Sequence, residues 1–138
     1  MSATIESQVY TAFDAAVVVQ KQRDYFATGK TKDVKFTIQQ LKKLRQLVLD
    51  NEQSIMDALK KDLNKSPMEA YGTEIGFLIA DIDHTLKDIR SLSKPRKVKT
   101  PLFHQLGSSW IQAEPYGVTY IIAPWNYPFQ LALSPVIG

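Results

Sequence analysis

The chain has 138 residues, 44% hydrophobic and 22% charged, with no cysteine. That composition belongs to a soluble globular chain of one domain's length, and it excludes disulfides, thiolate metal sites and a cysteine nucleophile supplied by this polypeptide. The net charge of +3 is unevenly spread: all 17 Lys and Arg lie between Lys21 and Lys99, and from Thr100 onward only Glu114 is charged.

Two histidines are too few for a histidine-rich metal cage. No apolar run approaches the ~18 residues of a membrane span. Met1 to Asp14 carries Glu6 and Asp14 and no base, so it does not read as a secretory signal. A reducing, cytoplasmic setting is the default expectation.

The first helix is expected near residues 5–27, where Ile5, Val9, Phe13 and Val17 recur every fourth residue. Gly29 suits the left-handed position that closes a helix. A second helix is expected from about Val34 to Leu49, with Ile38, Leu41, Leu44 and Val48 on one face. Asp50 or Asn51 can cap a third, which repeats Ile55, Leu59 and Leu63. The fourth has the strongest start signal. Ser66 stands at the N-cap, Pro67 at the first helical position and Glu69 at the third, the pattern of a capping box. Its stripe runs Tyr71, Ile75, Leu78, Ile79, Ile82, Leu86 and Ile89, and Pro95 forbids continuation.

After Lys99 the period changes. Ser108–Ala113 and Val118–Ala123 read as two strands of a hairpin around Glu114-Pro115-Tyr116-Gly117. The second is nearly all apolar, as in strands buried on both faces of a parallel sheet. Pro124-Trp125-Asn126-Tyr127-Pro128 breaks it, and Pro128 suits the first turn of a new helix. A parallel-sheet strand needs partners and a crossover helix. The uncharged end, Phe129–Gly138, would otherwise leave an apolar patch exposed. The pattern therefore predicts the N-terminal piece of a longer α/β protein. Residues 1–99 form its helical region, and residues 100–138 hold a β-hairpin and the first strand–helix unit of a Rossmann-like nucleotide-binding domain.

Chemistry is most plausible at that unit, because ligands of open α/β sheets sit beyond the carboxyl ends of strands. Trp125 and Asn126 fall there, with Ala123 and Pro124 just before them. An asparagine amide can donate to an oxygen that becomes negative during reaction. The competing reading makes Asn126 a helix cap and Trp125 core filling, and spacing alone favours it. The bases Lys94, Arg96, Lys97 and Lys99 read as a solvated connector. They lack interleaved aromatics and a binding module, so no nucleic-acid partner is expected. His84 and Asp88 read as an i,i+4 surface pair. No phosphate-cradling glycine loop is present in the sequence.

The run from Glu114-Pro115-Tyr116-Gly117-Val118 through Ala123-Pro124-Trp125-Asn126-Tyr127-Pro128-Phe129 resembles the aldehyde dehydrogenase superfamily. Asn51-Glu52, Ala58–Leu63, Lys65-Ser66, Glu69-Ala70-Tyr71 and Glu74-Ile75-Gly76 are similar to its class 3 branch of fatty and aromatic aldehyde dehydrogenases. The resemblance implies an incomplete aldehyde dehydrogenase-like α/β fold and oxidation of an aldehyde to a carboxylic acid through a thiohemiacetal. It implies NAD or NADP as cofactor, with Ala123, Pro124, Trp125 and Asn126 lining it, and Asn126 as the oxyanion donor. It also implies a homodimeric parent, with the hairpin contributing to subunit association. The family's cysteine is absent, so the chain alone is expected to be inactive and to bind the cofactor weakly. One alternative is a non-catalytic helical module that associates with an intact dehydrogenase. Another is an anionic-membrane binder that uses Lys94–Lys99 and the apolar end, although a membrane role is not expected of this segment.

Overall fold

A computed structural model describes residues 15–138, and the expected stripe positions Ile5, Val9 and Phe13 lie outside them. Helix α1 spans Ala15–Ala27, and Gly29 follows it with φ +73°, its N–H donating to Phe26 O at 3.0 Å. Only a residue without Cβ adopts that conformation at no steric cost. Helix α2 spans Val34–Asp50 and is capped by Asp33, whose side chain accepts from Lys35 N–H. Helix α3 spans Glu52–Leu63. Asn51 precedes it without a side-chain capping bond, and its amide Nδ2 donates backward to Leu47 O.

The fourth expected helix begins as the sequence requires and then changes pitch. Helix α4 is Pro67–Ala70, with Ser66 Oγ accepting from Glu69 N–H, which is the serine half of the capping box. Tyr71–Ile75 then form a π turn, and α5 continues over Gly76–Leu92. Gly76 N–H donates to the carbonyl of Tyr71, five residues back, which is the bond that widens the turn. A Cβ at Gly76 would stand 3.1 Å from both that carbonyl oxygen and the Tyr71 ring, so a larger residue there would require one of them to shift by a few tenths of an ångström. The wider turn moves Tyr71 off the apolar stripe, and its side chain is exposed. Ile75, Leu78 and Ile82 remain wholly buried.

The core joins Leu41 and Val48 of α2, Ile75, Leu78 and Ile82 of the long helical run, and Ile137 of α6, which spans Pro128–Ile137. Phe129 and Leu133 pack against the same cluster. The uncharged end of the chain is thus folded back onto α5 and the π turn, where burial of its apolar side chains contributes at roughly 25 cal/mol per Å².

Strand pairing differs from expectation. Strand β1, Arg96–Val98, lies antiparallel to β2, Ser109–Ile111, with Lys97 opposite Trp110. The basic connector therefore supplies the partner that Val118–Ala123 was expected to supply. Residues 118–123 form no ladder among the described residues. The tight turn expected at residues 114–117 is not formed either: no backbone hydrogen bond closes it among the described residues, although Gly117 takes φ +104°. The reason is physical: an apolar segment becomes a strand only when neighbouring backbone meets its N–H and C=O groups. Among the described residues the sheet has two strands, and neither borders residues 118–123.

Arg45 on α2 clamps Asp83 on α5 with two of its three nitrogens, Nε to Oδ1 at 2.8 Å and Nη2 to Oδ2 at 3.2 Å. The guanidinium, chiefly through these hydrogen bonds, holds the Asp83 carboxyl below the usual carboxylate range, against the smaller opposing effect of burial. A carboxyl depressed in the folded state adds stability above its unfolded pKa of about 4, and that contribution disappears as pH falls through the folded value. Asp83→Asn is therefore expected to lower the urea midpoint near neutral pH. The gap from the unsubstituted chain should close in acid, as read from midpoints measured across the acid range. The effect is modest, because more than a third of the Asp83 side chain is exposed.

Candidate functional site

The segment ahead of α6 is held from below by a buried ion pair that sequence spacing did not identify. Lys65 precedes the Ser66 cap, and Glu74 lies on the π turn. Lys65 Nζ donates to Glu74 Oε1 at 2.5 Å, with the two side chains 6% and 0% exposed. Burying two such charges is costly unless every remaining donor and acceptor is met. Here the demands converge. Glu74 Oε2 accepts from Phe129 N–H at 2.9 Å and Gln130 N–H at 3.1 Å. Lys65 Nζ also donates to Asn126 O at 2.9 Å and sits 4.2 Å from the centroid of the Tyr127 ring.

These contacts explain how α6 starts. Its N-cap residue, Tyr127, makes no side-chain capping bond, and Pro128 occupies the first turn. Glu74 supplies the cap from a distant part of the chain, and its carboxylate also meets the positive end of the helix dipole. Because those N–H groups are taken, the α6 N-terminus is not free to receive a pyrophosphate, the role such a terminus plays in many nucleotide sites.

Above this support the expected site residues are side by side in irregular chain. Trp125 is 88% exposed on this chain. Asn126 is exposed and does not cap α6. Its backbone oxygen is held by Lys65, while its carboxamide makes no hydrogen bond among the described residues. Ala123 is half-buried, Pro124 is exposed, and no charged side chain falls within 123–126. The stretch is thus uncharged and presents an exposed indole.

Grooves among the described residues lie elsewhere. One, about 650 Å³, runs between α1 (Val18, Tyr25, Phe26) and residues 115–119. Another, about 370 Å³, lies between α3 and the start of α6 at Pro128 and Phe129. Residues 123–126 line neither. His84 and Asp88 are 3.6 Å apart and exposed, an ordinary pair on one helix. Among the described residues no group of three or more His, Asp or Glu could hold a metal ion. No described helix is long and apolar enough to cross a membrane.

Residues 2–137 match the model of the aldehyde dehydrogenase family. The chain is 43% identical over 125 residues to the 4,4'-diaponeurosporen-aldehyde dehydrogenase of Staphylococcus aureus, covering 88% of this chain and 27% of that protein. It is 41% identical over 120 residues to mouse (Mus musculus) aldehyde dehydrogenase family 3 member B1, covering 87% and 26%. A solved structure described as the substrate-bound state of Staphylococcus aureus AldH superposes with a TM-score of 0.85 at 40% identity, covering 91% of this chain and 28% of that one. The chain thus spans about a quarter of the length of the curated relatives it matches. The helix-rich architecture with its small sheet is that of part of an α/β aldehyde dehydrogenase fold, and the likeness to the class 3 branch holds across most of the chain.

Proposed function

The chain belongs to the aldehyde dehydrogenase family, and from that premise we propose that it is the N-terminal segment of a class 3-like, NAD(P)-dependent enzyme that oxidises an aldehyde to its acid. The observation that carries this reading is the state of Asn126: its backbone is anchored from below and its amide is left unengaged in exposed chain.

In the complete enzyme a cysteine thiolate outside this chain adds to the aldehyde carbon, and the carbonyl π electrons move onto oxygen. Asn126 Nδ2–H donates to that oxygen. A neutral amide already fixed in place stabilises the developing charge without reorganising, which is what lowers the barrier. Ala123, Pro124, Trp125 and Asn126 would hold a nicotinamide cofactor along their uncharged surface, and the cofactor would supply the acceptor for the hydride that leaves the former aldehyde carbon. A second subunit completes the assembly in this reading.

This division of labour makes a direct prediction. The chain has no cysteine to supply the thiolate, and hydride transfer requires nucleophile, cofactor and base together. Aldehyde-dependent reduction of NAD(P)+, followed by absorbance, is expected from the complete polypeptide and not from residues 1–138 alone. Micromolar cofactor affinity in the isolated chain would contradict the expectation that it binds the cofactor weakly.

A further inference from the structure

We propose that Lys65 and Glu74 are positioning residues for the oxyanion donor, a buried strut that sets the direction in which the Asn126 side chain points. This rests on the reading of Asn126 given above. The geometry is specific. One ammonium group binds both the Glu74 carboxylate and the Asn126 carbonyl, and covers the Tyr127 ring face. The same carboxylate binds the two N–H groups that open α6. The segment 126–130 is therefore tied at Asn126 O, Phe129 N and Gln130 N to one rigid ion pair on a different part of the chain.

Fixing the Asn126 carbonyl fixes the peptide plane that follows it. With the start of α6 also fixed, the Cα–Cβ bond of Asn126 has little freedom left, and the exposed amide is aimed before substrate arrives. Without the strut, Asn126 is an exposed residue in a segment that no ladder holds. A displacement of about 1 Å at such a donor is enough to cost roughly 100-fold in rate. The pair also explains why a helix-breaking proline and an exposed tryptophan can flank the donor without loosening it. Order comes from the buried side, and the exposed side stays open to ligand.

The test uses the complete enzyme and the double variant Lys65→Met/Glu74→Gln, which removes both charges together and leaves an amide oxygen to accept from α6. The expected result is a fall in kcat of about 10–100-fold with aldehyde KM changed less than about threefold, because the donor acts on the transition state rather than on binding. In an Asn126→Ala background the same double variant should add less than about threefold, since two changes acting through one group are not additive. An unchanged kcat, with Asn126→Ala itself strongly impaired, overturns the strut and leaves the oxyanion role standing. An equal further loss in the Asn126→Ala background overturns it as well. If Asn126→Ala leaves turnover intact, the oxyanion role falls first and the strut with it. Hydrogen exchange on the unsubstituted enzyme decides the matter if the variants do not fold. Phe129 and Gln130 amides should be far better protected than Trp125, and equal exchange at the three sites overturns the proposal.

Discussion

Replacing Asn126 with alanine in the complete dehydrogenase is expected to lower kcat by about 10²–10³, the loss seen when one oxyanion donor is removed. Aldehyde KM should move far less. The carbonyl oxygen of a bound aldehyde carries only a partial charge, whereas the tetrahedral oxyanion carries a full one, so the amide is worth most after the carbon has been attacked. The substitution should be quiet structurally. Asn126 is exposed, its carboxamide makes no hydrogen bond among the described residues, and alanine retains the backbone oxygen that Lys65 binds. Thermal unfolding of the variant should therefore match the parent closely, separating a catalytic loss from a folding loss. Asn126→Asp is the sharper companion: it keeps the volume, but its carboxylate repels the oxyanion, so it should be at least as damaging as alanine. Turnover within a fewfold of the parent in both variants would remove Asn126 from the reaction.

What the sequence disclosed and what it hid follow from the range of the interactions involved. Helices α2, α3 and the long run from Pro67 to Leu92 were legible because their signals are local: an apolar residue every third or fourth position, a capping serine, a proline at the first turn. The start of α6 was legible for the same reason. The sheet was not. Residues 109–111 chose residues 96–98 as their partner, and apolar character alone could not say whether Val118–Ala123 would find a neighbour. The π turn was hidden too, since the four-residue step from Tyr71 to Ile75 reads as one ordinary helical turn in sequence, whatever turn joins them.

Within the site, Asn126 and its neighbours were visible as a motif, while their support was not. Lys65 and Glu74 are nine residues apart and meet a segment some sixty residues later, a separation that no local pattern reports. One signal did exist. Glu74 is three residues after Tyr71 and four before Leu78, so it falls on the apolar face of its own helix. A carboxylate in that place must be paired or must perturb the core.

Breaking that pair from one side should be the most destabilising single change available at this site. Glu74→Leu leaves the Lys65 ammonium buried without its anion, and the N–H groups of Phe129 and Gln130 without an acceptor. Removing one partner of a buried ion pair typically costs about 3–5 kcal/mol, most of it the penalty of the charge left behind. For a chain with the usual ~5–15 kcal/mol of stability, that is enough to unfold a large fraction of the molecules at moderate temperature. Lys65→Met should cost less. The stranded carboxylate keeps both N–H donors at the α6 N-terminus and stays in the favourable field of the helix dipole. The double variant Lys65→Met/Glu74→Gln should be more stable than Glu74→Leu, because no charge remains buried and an acceptor still faces α6. Urea midpoints should therefore rank the parent and the double variant highest, Lys65→Met below them and Glu74→Leu lowest. Were Glu74→Leu to unfold at the parent's midpoint, the carboxylate would be contributing nothing to the start of α6, and the ordering of the segment around Asn126 would need another source.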